Sequence, residues 1–107
     1  MKKGDIILVP FPFTDLTDSK NRPALVLIDS ELDVTLAFIS TQIHWKETYD
    51  ILLKPDAENG LKKESLIRLS KLATIDNDLV FGRLGQIDSL TMSIVNTNLK
   101  LLLKLDE

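Results

Sequence analysis

A chain of 107 residues with 44% hydrophobic and 27% charged residues suits one globular domain with its own core, which excludes a disordered or fibrous class. It has no cysteine and one histidine, which removes disulfides, thiolate metal sites and any mechanism that needs two histidines of one chain. The net charge of −3 excludes a generally basic nucleic-acid binder, so any nucleic acid is held in a local groove, and a basic partner has an acidic surface to meet.

The amino-terminal "MKKGDIILV" lacks the layout of a signal peptide, because Asp5 interrupts it, and no run approaches the ~20 apolar residues that span a membrane. The expectation is a cytoplasmic protein without a membrane partner. Residues 6–11 read as a strand stopped by Pro10 and Pro12, followed by a polar loop over 12–21. The aliphatic run 24–28 reads as a second strand buried on both faces. Residues 34–43 form a third strand, and 48–54 a fourth, closed by Pro55. Asn59-Gly60 marks a turn. Residues 65–72 form a fifth strand, 74–78 a short helical turn, and 79–87 a sixth strand in which Gly82 and Gly85 mark a bend or bulge.

From Ser89 the period changes to about 3.6, which places Met92, Val95, Leu99 and Leu102 on one face of a helix reaching about residue 105. Ser93, Thr97, Lys100 and Lys104 share the opposite face, and Asp88 or Ser89 caps the first turn. The fold class is therefore mainly β, a small bent antiparallel sheet or barrel over about 4–88 with a terminal α-helix over about 89–105, in one domain. No strand alternates with a helix as a doubly wound nucleotide fold requires.

The motifs leave a short list of chemical tools. No H-x-x-x-H pair, phosphate-cradling glycine loop or G-x-S-x-G turn is present, so no metal or other cofactor is expected. What remains is arginine, hydroxyls, amides and carboxylates. Arg22 precedes Pro23, which favours extended backbone and fixes a planar, permanently charged group where the second strand starts. That group suits two phosphate oxygens, or else an ion pair with Asp15 or Asp18 in the preceding loop. In "AFISTQI", alternation sets Ala37, Ile39, Thr41 and Ile43 on one face and Phe38, Ser40 and Gln42 on the other, so Ser40 and Gln42 are the ones placed to face a groove. Hydroxyls in strands also bond their own backbone, and that reading stays open.

Five segments occur in an order that resembles the MazF/PemK toxin family: "GDIILVPFPF" (4–13), "RPALVL" (22–27), "AFISTQI" (37–43), "GLKKESLIRLSKLATID" (60–76) and "GRLGQID" (82–88), followed by the closing helix. The resemblance implies an SH3-like barrel with a terminal helix, and a homodimeric, metal-independent endoribonuclease held inactive by a cognate antitoxin. It implies that the RP arginine, Arg22, and a hydroxyl on the third strand carry cleavage. Ser40 occupies that hydroxyl position, where the family usually has threonine, and Thr41 next to it is the alternative. The loop "TDLTDSKN" (14–21) lacks the Gly, Glu and Gln that family members often carry before the arginine, so "PFPFTDL" looks like a variant branch.

These residues suit cleavage of single-stranded RNA by its own 2′-hydroxyl, giving a 2′,3′-cyclic phosphate and a 5′-hydroxyl. Arg22 stabilises the charge on phosphorus and Ser40 orients the phosphate or the 2′-OH. Arginine keeps its proton at neutral pH, which makes it a poor base. Lys20, Asn21, Gln42, Lys62 and Lys63 are candidate substrate contacts, and Trp45 and Phe13 candidate stacking faces. Lys62-Lys63 also reads as a solvated turn, Phe13 as a core residue and Trp45 as a core or dimer contact, while His44 reads as a loop histidine without catalytic duty or as an aid to proton transfer. Two further functions fit the same scaffold: an SH3-like binding module that no longer cuts, and a toxin acting on a protein target such as topoisomerase.

Overall fold

The computed structural model describes residues 1–11 and 20–106. The expected stop at Pro12 and most of the polar loop lie outside the described residues. Strands β1 (Asp5–Phe11), β2 (Lys20–Asp29), β3 (Asp33–Ser40), β4 (Ile51–Leu53), β5 (Ser65–Asp76) and β6 (Gly82–Gln86) precede helix α1 (Ser89–Leu103). They form one curled antiparallel sheet, a half-barrel, in the order β4-β5-β3-β2-β1-β6. The expected mainly-β fold with a closing helix is what the chain adopts.

The central strands are buried on both faces. Ile6, Leu25, Leu27, Ala37 and Ile39 point into a core that also holds Ile67, Leu69 and Val95 of the helix. Their neighbours Ile7, Val9, Ala24, Val26, Val34 and Leu36 point the other way, into a second cluster completed by Ile75. Burying one such aliphatic side chain contributes about 1.5–3 kcal/mol, so two apolar faces are what hold so small a sheet together. Strand β5 serves both clusters because it bends: Ala37 pairs with Leu72 but Phe38 pairs with Arg68, so residues 69–71 form a bulge.

Several element boundaries differ from the sequence expectation, each for a local reason. Pro10 sits inside β1, opposite Asn21, because β6 pairs with β1 only as far as Leu8 and no strand there asks for the missing N–H. Strand β2 starts at Lys20, so Arg22 is paired strand rather than loop junction. Strand β3 ends at Ser40, where the Ser40 hydroxyl accepts the Gln42 N–H at 3.0 Å and turns the chain into a short 3-10 turn, Ile43–Trp45. Strand β4 waits until Ile51 because Asp50 closes a turn, its carboxylate accepting the Glu47 N–H at 3.1 Å. Strand β5 runs on to Asp76, whose carboxylate accepts from Asp78 N–H and moves the helical turn to Asn77–Leu79. Asp88 caps α1 by accepting the Thr91 N–H at 2.7 Å, and that bond holds its carboxyl below the ordinary range. The cap's contribution is thus present above the usual carboxylate pKa and is lost as pH falls through the lowered value. The helix ends at Lys104 in the left-handed region, with Met92, Leu99 and Leu102 packed on the core as expected.

The glycines of β6 do separate jobs. Ile6 pairs with Gly85 and Ile7 with Arg83, so Leu84 is the extra residue of a bulge. A Cβ on Gly85 would lie 2.0 Å from the Glu58 carbonyl oxygen, because the loop before β5 docks there, whereas a Cβ on Gly82 meets nothing within 4 Å. Gly85→Ala is therefore expected to cost about 1–3 kcal/mol in a urea melt, with Gly82→Ala near neutral. Equal midpoints for the two variants would contradict the docking.

Candidate active site

The turn at the end of β3 and the start of β2 lie side by side. Ala24 pairs with Phe38, and Arg22 and Ser40 each lie two residues beyond that pair, on the same face of the sheet. Both line a groove of about 480 Å³ with Thr41, Gln42 and Trp45. Its floor carries Phe38, whose ring meets Phe11 edge to face at 5.2 Å. Arg68 and Lys71 of β5 complete the walls, and no carboxylate lines the groove among the described residues. Arg68 is held by two carboxylates, so Arg22 and Lys71 are the lining cations without an ion-pair partner among the described residues, a local positive pair on a chain of net charge −3.

Each group is placed by the backbone beneath it. Arg22 is exposed, and its main chain is fixed opposite Val9, with Pro23 following. It has no ion-pair partner among the described residues; the anticipated partners Asp15 and Asp18 lie outside them. Ser40 already accepts one hydrogen bond, from Gln42 N–H, so its proton is left to donate. Thr41 is exposed, since the strand has ended before it and the alternation that assigned it to the apolar face no longer applies. Trp45 is 54% exposed, with His44 edge-on at 5.6 Å; it is not a core residue.

Other anticipated contacts stand apart. Lys20 and Asn21 are exposed in β2 opposite Phe11 and Pro10, and Lys62 and Lys63 are exposed before β5; none lines the groove. His44 does not line it either, and Phe13 lies outside the described residues. Among the described residues no three His, Cys, Asp or Glu side chains gather as a metal site would need.

Two groove cations were passed over by sequence reasoning, Lys71 and the buried Arg68. The Arg68 side chain is 9% exposed, with Nε 2.9 Å from Asp50 and Nη2 3.0 Å from Glu47. The Asp50 side chain is fully buried and also accepts from Ser70 N–H and hydroxyl, both at 3.2 Å. The signal was one arginine inside the apolar run "SLIRL", for which a buried cation needs a buried carboxylate.

The sequence matches the family described as PemK-like, MazF-like toxin of type II toxin-antitoxin system over residues 2–103. No curated protein matches it by sequence. Among solved structures the chain is similar to the Mycobacterium tuberculosis toxin MazF-mt6, with a TM-score of 0.76 and 18% identity over 94% of this chain and 96% of that one. It is also similar to an endoribonuclease in complex with its cognate antitoxin from a mycobacterial species, with a TM-score of 0.72 and 16% identity over 97% and 93% of the two chains. A third similar structure is an endoribonuclease from a mycobacterial species, with a TM-score of 0.70 and 19% identity over 97% and 91%. These likenesses establish the shared fold, and the family match spans nearly the whole length. The chain belongs to the PemK-like, MazF-like toxins of type II toxin-antitoxin systems.

Proposed function

We propose that this protein is a metal-independent endoribonuclease that cleaves single-stranded RNA in the groove between β2 and β3. The observation that carries the reading is that Arg22 and Ser40 line one groove, which among the described residues also carries Lys71 and no carboxylate. Family membership supports it, as does the likeness in fold to two mycobacterial endoribonucleases. The 2′-oxygen of the substrate attacks phosphorus and the P–O5′ bond breaks, leaving a 2′,3′-cyclic phosphate and a 5′-hydroxyl. The attacking hydroxyl gives its proton to water and the leaving oxygen regains one from water. Arg22 donates to the nonbridging oxygens as their charge grows. Ser40, its lone pair engaged by Gln42 N–H, donates its hydroxyl proton to the same phosphate. Trp45 offers an exposed ring for an unpaired base, which favours single strands over duplex. A second copy of the chain and a cognate antitoxin are the proposed partners, as the family and one similar complex suggest.

The test is incubation with a long single-stranded RNA and with its all-deoxy counterpart. The wild type should cut the RNA alone and leave cyclic phosphate ends. Ser40→Ala should slow cleavage about ten- to a hundredfold, the loss of one hydrogen bond to a charged group, and Ser40→Thr should restore most of it. Equal cutting of DNA, or an unaffected Ser40→Ala variant, would rule this site out. Growth arrest without RNA fragmentation would favour a protein target instead.

A further inference from the structure

Arg68 lines the groove, yet two carboxylates hold it. They are unequal. Asp50 is fully buried and grips Nε while accepting from Glu47 N–H and from Ser70, so it is built into the sheet. Glu47 meets Nη2 from the solvent side, its side chain 57% exposed, and that bond is the one its carboxylate makes among the described residues. Asp50 already balances the buried guanidinium, so Glu47 brings a surplus negative charge next to a groove whose described lining residues include the cations Arg22 and Lys71 and no acid. Core neutrality does not call for it. Glu47 occupies Nη2 of Arg68, a charged donor that a phosphate oxygen can accept from once the carboxylate leaves.

We propose that Glu47 is an exchangeable cover on Arg68, and that an RNA phosphate displaces it to gain a second cationic contact beside Arg22. The proposal rests on the ribonuclease reading above. Asp50 keeps Arg68 fixed during the exchange, so the guanidinium waits in place while one exposed side chain swings aside. An exposed ion pair is weak, so the cover lowers phosphate affinity by about two- to fivefold. Its effect is to discriminate: a single small anion meets a guarded arginine, whereas a strand already held at Arg22 delivers its next phosphate at high local concentration.

The experiment measures binding of a 2′-deoxy single-stranded oligonucleotide, which cannot be cleaved, across a salt series. The proteins are the wild type, Glu47→Gln, Glu47→Ala and a charge-matched control, Glu31→Gln. Glu31 lies in the β2–β3 hairpin, at the far end of both strands from Arg22 and Ser40. Both Glu47 variants should bind about two- to fivefold more tightly. The wild type already gives up its cover on binding, so its bound complex makes the same phosphate contacts and its salt slope matches theirs. The control should bind as the wild type does. With cleavable RNA, the Glu47 variants should lower KM and leave kcat in place. Wild-type affinity in both Glu47 variants, or the same gain in Glu31→Gln, would overturn the proposal while RNA cleavage by the wild type still stood. A wild type that neither binds nor cleaves would overturn the ribonuclease reading, and the proposal with it.

Discussion

Arg22→Ala is expected to lower RNA cleavage by at least about a hundredfold while the protein melts at the wild-type temperature. Removing one well-placed donor from a developing oxyanion costs about 2.7–4 kcal/mol, or 10²–10³ in rate. The fold should not notice the loss. Arg22 is exposed, its backbone is paired with Val9 through groups the substitution leaves alone, and its side chain anchors no ion pair among the described residues. Substitutions of that kind usually move stability by less than about 0.5 kcal/mol. Arg22→Lys separates charge from shape. Lysine keeps the positive charge but presents one point donor instead of a planar fork, so it should recover only part of the rate. Single-turnover cleavage beside a thermal melt checks both statements. A variant that cuts at the wild-type rate would remove Arg22 from the chemistry, and a variant that is inactive because it is unfolded would show its fault in the melt.

How much of this was readable from the residues follows from which forces are local. The unbroken apolar runs in "IILV" and "RPALVL" and the 3.6 period after Ser89 located the central strands and the helix, because both faces of the sheet and one face of the helix are apolar. Alternation in "AFISTQI" set Ser40 on the Phe38 face, and it lines the groove with Arg22. Strand ends were less legible, since they depend on side-chain bonds that periodicity does not report. Ser40 ends β3 through Gln42 N–H, and Asp50 delays β4 through Glu47 N–H. The first of those bonds also explains why Thr41 shares the groove despite its assigned face. Arg68 was hidden for a different reason. Its partners Glu47 and Asp50 lie 21 and 18 residues away, and only the bend in β5 and the turn before β4 bring them together. The lysines show the converse: Lys62-Lys63 reads as a phosphate contact by type alone, but the fold sets both residues outside the groove.

Asp50→Ala should be the most damaging single change in this region. Asp50 is 2% exposed, and its carboxylate accepts from Glu47 N–H, Arg68 Nε, Ser70 N–H and the Ser70 hydroxyl. Truncation leaves those donors without their acceptor and leaves Arg68, itself 7% exposed, with only the weaker outer pair to Glu47. Breaking one side of a buried ion pair costs about 3–5 kcal/mol, against a total stability of about 5–15 kcal/mol for a domain. At about 4–8 °C per kcal/mol, the melting temperature should drop by roughly 15 °C or more. Asp50→Asn keeps the shape and can still accept, but its amide turns donors toward Arg68, so it should fall nearly as far. The double variant Asp50→Ala/Arg68→Met removes the orphaned charge as well and should melt above Asp50→Ala, because an apolar pair can replace a buried ion pair at little cost. A melting temperature within about 3 °C of the wild type for Asp50→Ala, or additive losses in the double variant, would show that the pair is not coupled. The loss should also reach the groove. Asp50 ties residues 41–50, which carry Gln42 and Trp45, to β5. Once that tie is cut, RNA cleavage should decline at temperatures where the sheet is still folded.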